Sequence, residues 1–222
     1  MLQALLAFLR PAFATAFTAW GTDVTWIEVV AFALSLWMVV CEMKVRSLAW
    51  PLAIVTSLMY AALFADAKLY GEASLQLFFV AMSAWGWWQW RRGHGRDGGA
   101  LMVHRLARGP AVAVGMATLA SWPALGWLLA RTTDSPVPFC DALPTVVSIA
   151  ATFLLGRKLI ENWPAWLAVN VFSVGLFAYK GLWLTALLYA LFAALSVAGW
   201  RVWRRLNGRS CATSSGRSHA AA

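Results

Sequence analysis

Laid without a gap over residues 141 to 205, a shift of 113, residues 28 to 92 agree at 17 of 65 positions. The agreement falls on distinctive residues. Trp50-Pro51 meets Trp163-Pro164, Leu63-Phe64-Ala65 meets Leu176-Phe177-Ala178, and Gly86-Trp87-x-x-Trp90-Arg91-Arg92 meets Gly199-Trp200-x-x-Trp203-Arg204-Arg205. At the start of the register Glu28 and Asp141 keep an acid. Chance matching of apolar letters does not place three such patterns in one register. The fold must therefore hold two copies of one unit. Inside a membrane, such copies commonly enclose a pathway and move against each other.

Composition places the chain in a membrane. With 61% hydrophobic and 12% charged residues, 15 tryptophans and a mean hydropathy of +0.66, it has too little polar surface to clothe a soluble globule. The net charge of +9 would suit a nucleic-acid partner, but the basic residues sit in short stretches between apolar runs, the pattern of orientation signals. No nucleic acid is expected. Cys41, Cys140 and Cys211 have no metal spacing and form no disulfide framework.

Apolar runs long enough to cross the hydrocarbon core, about 17 to 25 residues each, lie near 24–43, 48–66, 70–90, 109–130, 141–157, 162–180 and 182–203. The reading is an all-α membrane protein of seven spans. A three-helix repeat occupies residues 24–92, a linker helix 109–130 and a second repeat 141–205. The linker span turns the second copy over, so the two repeats are parallel, related by an axis along the membrane normal. Placing Arg91, Arg92, Arg96, Arg105 and Arg108 in the cytoplasm puts 14 basic residues inside and leaves Arg10, Lys68, Arg131 and Lys180 outside. The positive-inside rule then sets the N-terminus out and the C-terminus in.

Residues 1–22 read as an interfacial segment, with Leu2, Leu5, Leu6 and Leu9 on one helical face before Pro11. The rival reading, a cleaved signal peptide, fits less well because Arg10 follows the apolar run instead of preceding it. Residues 93–100, rich in Gly, read as a mobile loop. Residues 206–222, rich in Ser and Ala, read as a disordered cytoplasmic tail.

No catalytic constellation is visible, and no span carries two metal ligands at helical spacing. Neither an enzyme nor a cofactor is expected. The strongest candidate site is Trp163-x-x-Trp166-x-x-x-Asn170, whose offsets place three side chains on one helical face. An amide near mid-membrane is costly to expose to lipid, so Asn170 faces a pathway or another helix. A blander role for Trp163 is an interface anchor. Across the repeat, Trp166 aligns with Ala53, Asn170 with Ser57, and Tyr189 with Gln76. The copies differ where a small asymmetric ligand would lie. Gln76, Tyr60 and Tyr189 add amide and hydroxyl groups, and Trp50 borders the same region. Flat aromatic faces with amides and hydroxyls suit a nucleoside-like molecule, and indole over a cationic ring contributes about 2 kcal/mol when desolvated. The Gly-Trp-x-x-Trp-Arg-Arg endings read as membrane anchors, and Gly86 and Gly199 as sites of close helix packing. Glu28, Glu42, Glu72 and Asp141 fall near span ends. With no central carboxylate or His relay, uncoupled movement down a gradient is the simpler expectation.

Trp50-Pro51 with Tyr60, Lys68-Leu69-Tyr70-Gly71-Glu72, Leu75-Gln76 and Ser83-x-x-Gly86-Trp87-x-x-Trp90 resembles the bacterial vitamin transporters of the PnuC type. So does Glu161-Asn162-Trp163-x-x-Trp166-x-x-x-Asn170 with Ser173; position 85 departs, with Trp where the family often has Tyr. The resemblance spans residues 26 to 205. It implies a fold similar to the seven-span SWEET sugar transporters, a homotrimer in membrane lipid, and facilitated diffusion of nicotinamide riboside trapped by cytoplasmic phosphorylation. Thiamine and riboflavin are the alternative vitamins, and a membrane-embedded enzyme or scaffold the alternative of another class. The resemblance also implies that Trp163, Trp166, Asn170 and Gln76 line the ligand site.

Overall fold

The computed structural model describes residues 13–19, 22–66, 70–94, 101–133, 137–179 and 183–219. Its helices fall into the register of the repeat. Seven are present among the described residues: α1 (Trp26–Met43), α2 (Ala49–Asp66), α3 (Tyr70–Arg92), α4 (Arg108–Thr132), α5 (Pro138–Gly156), α6 (Asn162–Tyr179) and α7 (Trp183–His219). Moved by 113, the bounds of α2 coincide with those of α6, and the first residue of α3 with that of α7.

The same register extends to single hydrogen bonds. Helix α1 stops because Val45 takes a φ of 53°, and α5 stops because Lys158, its counterpart, takes the same value. In the first copy Val45 N donates to Glu42 O at 3.0 Å and Arg46 N to Cys41 O at 2.9 Å; in the second, Lys158 N donates to Leu155 O and Leu159 N to Leu154 O, both at 2.9 Å. These reversed bonds satisfy the last carbonyls of each helix and turn the chain into the next one. Glycine usually occupies the left-handed position. A β-branched valine there is costly, and the copies tolerate the cost at the same place.

Five of the helices are long and apolar enough to cross a membrane: α1, α2, α4, α5 and residues Ala186–Gly208 of α7. Helices α3 and α6, also read as spans from the sequence, carry more polar residues, among them Gln76 and Gln89 on α3 and Asn162 and Asn170 on α6. The outer surface is apolar, with Trp37, Val112, Met116, Leu119 and Leu187 each more than half exposed. In water such a surface would drive aggregation; hydrocarbon accepts it. Buried hydroxyls within the helices bond to their own backbone. Ser35 Oγ donates to Ala31 O at 2.8 Å and Thr56 Oγ1 to Leu52 O at 3.0 Å, which satisfies a polar group where there is no water.

Two expectations change. A hairpin, β1 (Thr15–Ala19) against β2 (Thr22–Thr25), precedes α1, so a short antiparallel pair adds to the expected all-α fold. Residues 15–19 were expected in an interfacial helix. The β-branched Thr15, Thr18, Thr22, Val24 and Thr25 favour strand, and Thr18 Oγ1 donates to Asp23 Oδ1 at 2.7 Å across the pair. The Glu28 carboxylate then accepts from Thr25 N at 2.7 Å and Thr25 Oγ1 at 2.8 Å, which starts α1 at Trp26. Residues 1–12, the rest of the expected interfacial helix, lie outside the described residues. At the other end α7 runs to His219, through residues 206–219 where a disordered tail was expected. No proline interrupts this stretch.

The chain divides into two compact units, Met1–Trp87 and Trp88–Ala222. The boundary falls inside α3, so its last turn belongs to the second unit. There Trp90 Nε1 donates to Leu155 O at 3.0 Å, and the Trp90 ring lies 6.2 Å from that of Trp203. Residues 101–106 are bound along the α5–α6 connector. His104 and Leu159 form a parallel bridge, made by His104 N to Lys158 O at 3.2 Å and Ile160 N to His104 O at 3.1 Å. Lys158 Nζ donates to Leu101 O at 2.9 Å, and Leu106 N donates to Glu161 Oε2 at 3.0 Å. The Lys158 ammonium also lies 5.1 Å above the Trp90 ring, and burial lowers its pKa from the usual 10.5. This strap holds the chain just before α6 begins.

Candidate functional site

Helix α6 buries Asn162, Trp163, Val169, Asn170 and Ser173, the recurrence expected of one helical face. The face has two parts. At its start, Trp163 is 1% exposed and its ring lies against Gly199 of α7, where an added Cβ would collide with it. The Trp203 ring meets it edge-on at 5.6 Å and 84°. The first unit repeats the arrangement, with Trp50 at 2% exposure against Gly86. Both tryptophans thus hold the second helix of their copy to the third. Glycine is required there because only a residue without Cβ lets the ring approach.

Two turns further along α6 the chemistry is polar. Asn170, 4% exposed, donates through Nδ2 to Ser196 Oγ at 3.1 Å, and Ser196 Oγ donates to Phe192 O at 2.8 Å. Between the two parts sits Trp166. Its Nε1 is buried without a hydrogen-bond partner among the described residues, as is that of Trp163. A buried donor left unmade costs about 1–3 kcal/mol, so such a group is a natural handle for a ligand acceptor. Asn162 Oδ1 is likewise unpartnered among the described residues, although its Nδ2 donates to Leu159 O at 2.6 Å.

The remaining expected site residues divide between the units. In the second, Tyr189 stacks on Phe177 at 5.1 Å and 17° and meets Phe192 edge-on at 6.3 Å. Its ring is therefore held by neighbours on both sides. In the first, Tyr60 stacks on Phe64 at 6.2 Å, while Ser57 and Gln76 are half-buried on α2 and α3. A cavity of about 360 Å³ also opens beside α6 and α7, lined by Trp163, Pro164, Leu167, Ala168 and Val171 of α6 and by Ser196, Val197 and Trp200 of α7. Its walls are almost wholly apolar, and Trp166 and Asn170 take no part in it. Val171, one of its lining residues, is 59% exposed. Among the described residues no cluster of His, Cys, Asp or Glu forms a metal site.

The family model for the nicotinamide mononucleotide transporter matches residues 25–205, the whole span of both repeats. The chain belongs to this family, the PnuC transporters. Like its relatives it is a vitamin transporter with several apolar membrane helices. The nicotinamide riboside transporter PnuC of Escherichia coli strain K12 is 26% identical over 209 residues, 83% of this chain and 87% of that one. The riboflavin/roseoflavin transporter RibM of Streptomyces davaonensis is 28% identical over 199 residues, covering 85% and 89%. A crystal structure of the vitamin B3 transporter PnuC shares the fold, with a TM-score of 0.69 at 24% identity over 94% of this chain and 90% of that one.

Sequence spacing groups Trp163, Trp166 and Asn170 on α6 of this PnuC-family protein; in the structure Trp163 and Asn170 are buried, and Trp166 is half-buried with its Nε1 covered. It missed Ser196, which holds the Asn170 amide. A signal was present, because Ser83 and Ser196 are identical across the repeat and both are buried, at 5% and 3%.

Proposed function

We propose that this PnuC-family transporter carries nicotinamide riboside by facilitated diffusion, through a site between the two repeats, with trapping by cytoplasmic phosphorylation. The observation that carries the reading is the polar stretch of α6. A buried indole N–H without a protein partner at Trp166 stands one turn from the Asn170 amide, in a chain related to PnuC of Escherichia coli. Indole faces bind a flat cationic ring, while amides and hydroxyls bind a sugar. Gln76, Tyr60, Ser57 and Trp50 on the first copy, with Trp163 and Tyr189 on the second, complete the proposed lining. Riboflavin is the second reading, favoured by the likeness to RibM; it too is a flat ring bearing hydroxyls.

The proposed architecture is two parallel three-helix repeats about the linker α4, seven spans in all, with the N-terminus outside and the C-terminus cytoplasmic. The proposed assembly is a homotrimer in the inner membrane. Titration of the purified protein with nicotinamide riboside, thiamine and riboflavin decides the substrate, and tightest binding of riboflavin would reverse the order of the two readings. Uptake into vesicles tests the mechanism. Equilibration without accumulation is expected, and accumulation driven by an imposed proton or sodium gradient would end the uncoupled reading.

A further inference from the structure

Asparagine offers a ligand either a carbonyl acceptor or an amino donor, and which one depends on how its amide is held. In this chain the choice is made by α7. Ser196 Oγ donates its only proton to Phe192 O at 2.8 Å, the carbonyl one turn earlier in its own helix, a bond that serine readily forms inside a helix. The hydroxyl therefore has only lone pairs to offer Asn170. Those lone pairs accept Nδ2 at 3.1 Å, and the opposite rotation of the amide would set two acceptors against each other. Ser196 is 3% exposed and Asn170 4%, so bulk water does not supply a substitute partner.

We infer that Ser196 is a positioning residue for substrate recognition: it fixes the Asn170 amide so that Oδ1, an acceptor, is the end left for the ligand. The group that meets it must then be a donor, a sugar hydroxyl or a primary amide. With Trp166 Nε1–H buried one turn away without a partner among the described residues, α6 presents an acceptor and a donor side by side. The inference rests on the proposed reading that Asn170 faces the ligand. The first copy has the serine, Ser83, but Ser57 in place of the amide, so the device belongs to the second copy.

The test is titration of the purified full-length protein with nicotinamide riboside, with thermal stability measured alongside. Ser196→Ala is expected to weaken binding about fivefold to tenfold, the worth of one hydrogen bond. Ser196→Thr, which keeps the hydroxyl, is expected to restore it. In an Asn170→Ala background Ser196→Ala should cost nothing further, because no amide remains to be held. An unchanged affinity in Ser196→Ala, or the same loss with and without Asn170, overturns the inference. Should Ser196→Ala not fold, Ser196→Cys keeps the volume with a far weaker acceptor; the same loss of affinity supports the inference, and wild-type affinity overturns it. If Asn170→Ala alone binds as the wild type does, it is the ligand-site reading that falls.

Discussion

Helices α2 and α6 have the same length, the same Trp-Pro opening and the same buried ring against a glycine of the next helix, yet they diverge one turn later. Beyond the tryptophan α2 has Ala53 and then Ser57, where α6 has Trp166 and Asn170. The framework is thus held by residues the copies share, and the proposed ligand contacts lie at residues they do not. A duplicated helix pair keeps its packing because any change there must be matched by the partner helix.

The largest expected effect tests the shared part. Gly86→Ala and Gly199→Ala both place a methyl group in an indole ring, and overpacking of this kind costs about 1–3 kcal/mol or more. Thermal unfolding in detergent should show similar losses for the two; a drop in only one would undo the equivalence of the copies. Next comes the part that differs. Asn170→Ala and Trp166→Ala are each expected to weaken nicotinamide riboside binding by about 10- to 100-fold, roughly 1.4–2.8 kcal/mol, with folded yield intact. Ser57→Ala, at the position equivalent to Asn170, should change it by about threefold or less. Equal losses on both helices would mean that recognition is shared between the copies.

The connectors extend the contrast. Val45 and Lys158 hold the same left-handed backbone, but Lys158 also ties Leu101 O to the α5–α6 connector. Val45→Gly is expected to stabilise the fold by about 0.5–1 kcal/mol, through relief of a strained branched residue. Lys158→Gly should gain nothing, and it should speed amide exchange or proteolysis at residues 101–106. The smallest effect is in pH. Burial lowers the Lys158 pKa below 10.5, so the unfolded chain holds the extra proton between that lowered value and 10.5, and stability rises with pH across this window. The wild type should therefore gain thermal stability relative to Lys158→Met as the buffer is raised toward pH 10.

Much of the framework was legible in the sequence. The shift of 113 anticipated the common helix bounds, because the same apolar period and the same Trp-Pro start impose the same helix twice. Two ends were not legible. Residues 1–22 read as an interfacial segment and residues 206–222 as a disordered tail, yet Thr15–Ala19 and Thr22–Thr25 pair as strands and α7 continues to His219. The site was legible only in part. Helical periodicity groups Trp163, Trp166 and Asn170 by their spacing, but it treats a helix as a lone cylinder. It does not say that Gly199 lies under Trp163 while Ser196 lies under Asn170.

The division reflects the range of the forces. Apolar content, the repeat and the capping residues act over a few turns of one helix, so the sequence alone specifies a duplicated membrane protein and the positions of its polar residues along each helix. The buried Trp163, the orientation of the Asn170 amide and the strap over the α5–α6 connector each depend on atoms more than 25 residues away. Those are set by tertiary packing, because a hydrogen bond or a ring contact takes its meaning from the particular group that meets it.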